Sequence, residues 1–429
     1  MKRNNFITFL KNRFTKSEFS KNVFTLISGT AIAQLIPLLI APILSRIYTP
    51  EEFGRLALYL SITQVLGGVS SGRYELAIVL PTKKKEGVQL TLLSIFITIV
   101  VSLVSLVSIL LFSTDIANFL GDPKLDKWLY FVPLSVLMIG IFNALNYFNT
   151  REKAFQNIAK ANVYKSFGGN GIQFFFGIIK YTSGGLIIGQ VFSHFFGNIK
   201  MLKTFVKNKK ILNKTTKEDL KGLAMRYVNF PKFSVWGIFL NLMSINIINV
   251  FISSIYSLSI LGYFSHAYRY LGLPSSLLGN AFSQVYLEKS ISDYKTFGNS
   301  KELFLSTVKK LSIIAFFILI GGILFIEEIF VLVFGNNWII AGKYAKILIP
   351  LFSIRFVASS LSVTFIVYEI QKESLFWHFC LFLLSCFLMV IFIFNEFDVN
   401  TFLYAYTILL FMYYFLFIYR MFIITKGKT

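Results

Sequence analysis

VQLTLLSIFITIVVSLVSLVSILLFS, residues 88–113, carries no charged side chain and directly follows a basic cluster that includes Lys83-Lys84-Lys85. At about 1.5 Å per residue such a run crosses a hydrocarbon core of about 30 Å. In lipid only a helix satisfies its backbone hydrogen bonds within one segment. Comparable runs recur along all 429 residues. They predict helices over 23–47, 54–80, 88–113, 127–148, 157–178, 184–205, 230–255, 259–286, 309–335, 345–368, 375–395 and 400–422. The fold class is an all-α polytopic membrane protein of about twelve transmembrane helices. Most of the 49 phenylalanines are then lipid-facing filler.

The gaps between the runs alternate in charge. Of 42 Lys and Arg, about 31 fall at the N-terminus and in every second loop and about 7 in the other loops, the positive-inside pattern. The basic runs are Lys2 to Lys21, Lys83 to Lys85, Arg151 to Lys160, Lys200 to Lys232 and Lys289 to Lys310. Topology thus accounts for the net charge of +22 without nucleic-acid binding, and it predicts a multi-pass protein with both termini in the cytoplasm.

Five parts follow along the chain. Residues 1–22 interleave Phe6, Leu10 and Phe14 with Lys11, Arg13 and Lys16, the pattern of an amphipathic helix lying on the inner leaflet. An N-lobe of six spans covers 23–205, a cytoplasmic linker 206–229, a C-lobe of six spans 230–424, and a cytoplasmic tail 425–429. Within the linker, Thr215-Thr216-Lys217-Glu218-Asp219 reads as a helix start of the capping-box kind. Cys380 and Cys386 both fall in the eleventh span, where neither a disulfide framework nor a metal site is expected.

The lobes look related. Ile43-Leu44-Ser45-Arg46-Ile47-Tyr48, followed by Gly54, has a counterpart 208 residues on in Phe251-Ile252-Ser253-Ser254-Ile255-Tyr256, followed by Gly262. A repeat of six spans makes the halves parallel copies about an axis along the membrane normal, with a cavity between the lobes open to one side at a time.

Three blocks carry a family resemblance. The first is Gly29, Gln34, Pro37 and Pro42 followed by Arg46-Ile-Tyr-Thr-Pro-Glu-Glu-Phe-Gly54, continuing to Gly72-Arg-Tyr-Glu-Leu-Ala-Ile-Val-Leu-Pro81. The second is Asn149-Thr-Arg-Glu-Lys153, and the third Leu261-Gly-Tyr-Phe-Ser-His-Ala-Tyr-Arg269 with Pro274. Together they resemble the Wzx-type polysaccharide-biosynthesis membrane proteins, lipid-linked oligosaccharide flippases of the multidrug/oligosaccharidyl-lipid/polysaccharide (MOP) superfamily. That resemblance implies a V-shaped, alternating-access transporter of two six-helix bundles. It also implies a substrate built on polyprenyl diphosphate.

Four basic residues lie deep inside the predicted spans, away from their ends: Arg73, Lys165, Arg269 and Arg355. A charge at the bilayer centre costs about 2.5–3.5 kcal/mol on insertion scales, so such residues face a bundle interior or a wet cavity. The expectation is a cationic cavity, two residues from each lobe. Guanidinium groups there suit a diphosphate, which they bind in a planar, bidentate way. The bland alternative for Lys165 and Arg73 is that they extend to the inner interface.

Glu75 follows Arg73 by two residues, so on one helix the pair points about 200° apart. It is the candidate ion-coupling carboxylate, with H+ or Na+ as the coupling ion, and its structural alternative is to neutralise an arginine. Of the histidines, His194 and His378 read as packing residues. His266, three residues before Arg269, is the exception kept as a substrate-binding candidate. No metal spacing or cofactor motif is present, and the Gly-Lys at 342–343 is too far from Gly335 for a phosphate-cradling loop.

The expected function is a flippase moving undecaprenyl-diphosphate-linked oligosaccharide repeat units across the bacterial cytoplasmic membrane, and not an enzyme. A polysaccharide polymerase and a chain-length regulator are its expected companions. Three alternatives remain open: a peptidoglycan lipid-precursor flippase, a drug/cation antiporter of the same superfamily, and the polymerase itself.

Overall fold

Tyr48-Thr49-Pro50-Glu51-Glu52 ends one helix and begins the next. The Glu52 N–H donates to Thr49 Oγ1 at 3.3 Å, and the Glu52 carboxylate accepts the Thr49 N–H at 2.7 Å. Pro50 takes the first helical position, where no N–H is needed. In the computed structural model, which describes residues 18–395 and 397–427, α1 (Glu18–Ile47) and α2 (Pro50–Val69) meet at this turn. The segment expected to lie on the inner leaflet falls almost wholly outside the described residues.

The chain continues through α3 (Lys84–Phe119), α4 (Val132–Arg151), α5 (Phe155–Ile178), α6 (Thr182–Val206) and the short α7 (Lys217–Arg226). There follow α8 (Val235–Ile255), α9 (Leu258–Leu271), α10 (Asn280–Phe297), α11 (Lys301–Phe334), α12 (Ile339–Leu361), α13 (Gln371–Asn395) and α14 (Val399–Thr425). Among the described residues there is no strand. A π turn over Ser275–Gly279, just after Pro274, joins α9 to α10, and another over Phe230–Ser234 contains Pro231 and leads into α8. Proline lacks the N–H that a regular turn needs, and a wider turn absorbs the defect. With α9 and α10 taken as one bent span, the predicted spans are helical apart from the end of the second and short turns at Tyr130-Phe131 in the fourth and Ser362-Val363 in the tenth. Among the described residues, eight helical segments are long and apolar enough by themselves to cross a membrane.

Two compact units result. One runs to Tyr48 and resumes from Tyr59 to Phe239; the other takes Thr49–Leu58 together with Leu240 onward.

In the first unit the predicted second span stops short. It ends at Val69, Gly72 and Arg73 turn through left-handed backbone (φ 59° and 62°), and Tyr74–Val79 form a 3₁₀ turn. Tyr74, Ala77 and Ile78 are buried in a core with Val88, Leu93, Phe142, Leu145 and Phe148. Arg151, at the end of α4, holds this turn by donating to the carbonyls of Ile78 and Lys83, both at 3.0 Å. Glu152 beside it pairs with Lys84 at 3.1 Å. Two of the family-like blocks, 72–81 and 149–153, therefore pack on one another.

The linker helix α7 docks on the same end of the first unit. Thr216 and Asp219 form the predicted capping box, and Lys85–Asp219 (3.3 Å) and Arg226–Glu86 (3.1 Å) pair its two ends with the start of α3. The Tyr74 hydroxyl donates to the Ala224 carbonyl at 2.9 Å. The Thr216 backbone N–H, with Lys85, holds the partly exposed Asp219 carboxyl below the usual carboxylate range.

In the second unit, the start of α2 crosses α9 at van der Waals contact. A Cβ added to Gly54 would stand 2.0 Å from the Leu258 carbonyl oxygen, and one added to Gly262 would stand 1.8 Å from that of Pro50. The contact is reciprocal under the 208-residue offset, which relates 50 to 258 and 54 to 262. The tyrosines that the offset relates, 48 and 256, each donate to a carbonyl, although the two acceptors are not related by it. The Tyr48 hydroxyl donates to the Gln173 carbonyl at 2.7 Å in the first unit, and the Tyr256 hydroxyl to the Phe397 carbonyl at 3.1 Å in the second.

Candidate functional site

Arg73 and Lys165 belong to the first unit, Arg269 and Arg355 to the second.

Arg73 and Glu75 do not share an α-helix, so the 200° separation does not apply. The backbone reversal at Gly72-Arg73 and the 3₁₀ turn after it bring the two side chains together. Arg73 Nη1 stands 3.1 Å from Glu75 Oε1, with Glu75 1% exposed and Arg73 21%. The contact is an ion pair by distance without hydrogen-bond alignment, since Glu75 Oε1 and Arg73 Nε lack an aligned partner. Ser71 Oγ donates to the other carboxylate oxygen. The partner of Glu75 is thus its neighbour and not a cation from another helix.

Glutamine at Glu75 leaves a half-buried guanidinium unpaired. Breaking such a pair is expected to destabilise by about 3 kcal/mol, the low end of the range for buried pairs because Arg73 is partly exposed. Thermal unfolding of the purified protein measures it, and the double change Arg73→Gln/Glu75→Gln should recover most of the loss. A stable double variant that cannot transport marks the pair as functional; one that transports normally marks it as structural.

Lys165 Nζ lies 4.8 Å from the centre of the Phe142 ring, and the His194 ring meets the same phenylalanine edge-on at 5.5 Å. His266 is 2% exposed. It stacks on Trp338 at 3.9 Å with Phe53, Tyr270 and Phe334 around it, and its Nε2 has no hydrogen-bond partner. The cage closes it off, and Arg269, three residues on, is exposed on α9. The two do not make one site.

Arg355 does stand in a cavity. Inside the second unit a space of about 380 Å³ is walled by α8, α9, α12, α13 and α14. Four of these helices contribute a polar stripe at helical spacing: Asn241 and Ser244, then Arg355 and Ser359, then Gln371, Ser374, His378 and Ser385, then Tyr406 and Tyr414. Tyr268 enters from α9. Arg355 Nη1 donates to the Tyr268 hydroxyl, and its guanidinium carbon lies 5.4 Å from the Tyr268 ring and 5.6 Å from that of Phe352. Among the described residues no carboxylate pairs with Arg355, and none lines the cavity. His378 contacts Asn241 at 3.3 Å.

A guanidinium against aromatic rings, ringed by hydroxyls and amides and without a carboxylate partner among the described residues, has the chemistry to receive an anion bearing further hydrogen-bonding groups. Arg355, a substrate-binding candidate from the sequence, lines this cavity, whereas its companions were not among the candidates. Their signal was available in the Gln371-Ser374-His378-Ser385 spacing, one polar stripe on a helix that is largely apolar beyond Glu373. On α9 the sequence reading chose Arg269 for its charge, whereas the cavity takes Tyr268.

A family model of polysaccharide biosynthesis proteins matches residues 43–342. No curated protein matches at the sequence level. Solved structures share the fold. The lipid II flippase MurJ in an inward closed conformation superposes with a TM-score of 0.68 at 15% identity, covering 93% of this chain and 87% of that one. A multidrug resistance MATE family transporter of the MOP superfamily, inward-facing, gives 0.66 at 14% identity, covering 93% and 100%. A MOP superfamily transporter from Pyrococcus furiosus, described by the reverse polarity of its binding pocket, gives 0.63 at 14% identity, covering 95% of each chain. The fold is that of MOP-superfamily transporters, and the family match spans most of the sequence: the chain belongs to the polysaccharide biosynthesis protein family.

Proposed function

We propose that the protein flips a polyprenyl-diphosphate-linked oligosaccharide repeat unit from the cytoplasmic to the outer leaflet of a bacterial cytoplasmic membrane. The observation that carries this reading is the Arg355 cavity, with its uncompensated cation and no acidic lining. A cation exporter needs the opposite polarity. Arg355 takes the diphosphate, and the Tyr268, Tyr406 and Tyr414 hydroxyls with Asn241 and His378 take the first sugar. About 380 Å³ sits at the low end of small-molecule sites, enough for part of a head group and not for a whole repeat unit. Arg269, exposed on α9, and Lys165 act on the substrate only outside this cavity. The Arg73–Glu75 pair is the place for coupling to H+ or Na+. The split of basic residues between alternate loops supports cytoplasmic termini.

A peptidoglycan-precursor flippase is the second reading, favoured by the likeness to MurJ. Deleting the gene and assigning the accumulated lipid-linked sugars to a leaflet separates the possibilities. Complete repeat units facing the cytoplasm, with surface polysaccharide lost, support the proposal. Accumulated peptidoglycan precursor supports the second reading, unpolymerised units on the outer face indicate a polymerase, and unchanged glycans return the efflux alternative.

A further inference from the structure

A second cavity of the same unit shares no lining residue with the Arg355 site. It is a groove of about 880 Å³ between α11, α12 and α14, and its three walls carry the same polarity gradient. On α12, Lys343 and Lys346 give way to Ile347 and Pro350; on α14, Asn400 and Tyr404 give way to Ile408, Phe411 and Met412. On α11, which runs the other way, Glu327 stands toward the polar end and Ile323 deeper. Thr407, 6% exposed, lines the apolar part with its hydroxyl unpartnered.

We propose that this groove binds an anionic phospholipid, a phosphatidylglycerol, with its acyl chain along Ile347, Ile408 and Phe411 and its phosphate on Lys343. Charge decides the occupant. Lys346 is paired with Glu327 at 2.9 Å, and among the described residues the exposed Lys343 makes no ion pair. A phosphodiester carries one negative charge, which a lysine ammonium balances, and the groove holds no guanidinium, whose planar fork suits a diphosphate. Tyr404 stands at the polar end, at the depth where aromatic rings meet head groups. The lysines are not explained by insertion, because this end of α11, α12 and α14 is the side on which Lys and Arg are scarce. Thr407 offers its hydroxyl to the ester region.

The full-length protein, purified in detergent, is offered phosphatidylglycerol or phosphatidylethanolamine and its retained lipid is counted by native mass spectrometry. A phosphatidylglycerol carrying a photoreactive acyl chain then maps the contact. Phosphatidylglycerol should be retained preferentially and should label peptides over 343–350 and 399–412. Lys343→Gln, at an exposed position, should weaken retention about fivefold, and Thr407→Val should weaken it without lowering thermal stability. Equal retention of both lipids, labelling elsewhere, or retention unchanged in Lys343→Gln overturns the proposal. So does displacement by undecaprenyl diphosphate in preference to phosphatidylglycerol, which would make the groove part of the substrate path. None of these readouts depends on transport.

Discussion

Replacing Arg355 with glutamate is expected to abolish surface polysaccharide while the protein still accumulates in the membrane. The guanidinium supplies the cavity's one cation, and hydrogen bonds to a charged group contribute about 1.5–3 kcal/mol each. Losing one such bond weakens binding roughly ten- to hundredfold. Arg355→Gln should show that loss. Arg355→Glu adds direct repulsion of the diphosphate and carries the effect to completion. Arg355→Lys keeps the charge but loses the planar fork and the stacking on Tyr268 and Phe352, so intermediate export is expected. Immunodetection of surface glycan beside membrane abundance of each variant reads all three. Arg269→Glu, at an exposed position outside the cavity, should retain much of its export. Full export by Arg355→Glu would remove this cavity from the mechanism.

Valine at Gly262 should prevent accumulation of folded protein, and alanine should lower its unfolding temperature clearly. The added Cβ would stand 1.8 Å from the Pro50 carbonyl oxygen. A backbone oxygen has no rotamer to retreat into, so the helices themselves must part. Overpacking commonly costs about 1–3 kcal/mol, and a backbone obstacle places this site at or above the top of that range. Gly54→Ala, at 2.0 Å from the Leu258 oxygen, should behave alike. Gly321 is the control: a Cβ there meets nothing within 4 Å. Alanine gains about 1 kcal/mol of helix propensity over glycine, so Gly321→Ala should be neutral or slightly stabilising. Thermal unfolding in detergent orders the variants, and equal midpoints for Gly262→Ala and Gly321→Ala would refute the contact.

Helix number and order were legible because burial in lipid imposes one rule on every segment: twenty or so apolar residues with few charges. The break at residues 69–80 was not. Tyr74 to Leu80 is as apolar as a continuing helix, and a non-glycine residue in left-handed backbone, as Arg73 is, depends on partners that pattern does not reveal, here Ser71, Glu75 and the arms of Arg151. Arg355 was legible because a charge in an apolar run is conspicuous. The tyrosines, serines and amides around it carry no charge and read as ordinary membrane-helix composition.

The family-like blocks taught something different from what their conspicuousness implied. Much of what makes 46–54, 72–81, 149–153 and 261–269 distinctive serves packing: caps, the Arg151 clasp, and glycines under helix crossings. The cavity draws one residue from them, Tyr268.

The crossing of α2 and α9 has a consequence for how this protein can evolve. Most packed pairs can trade volume, a larger residue on one side offset by a smaller one opposite. Each glycine here faces a carbonyl oxygen, which no mutation can shrink. Neither position can be rescued by changing its neighbour, so the two should stay fixed independently in descendants of this sequence. This close helix crossing would then leave no trace in correlated substitutions, the signal by which contacts are ordinarily inferred from sequence families.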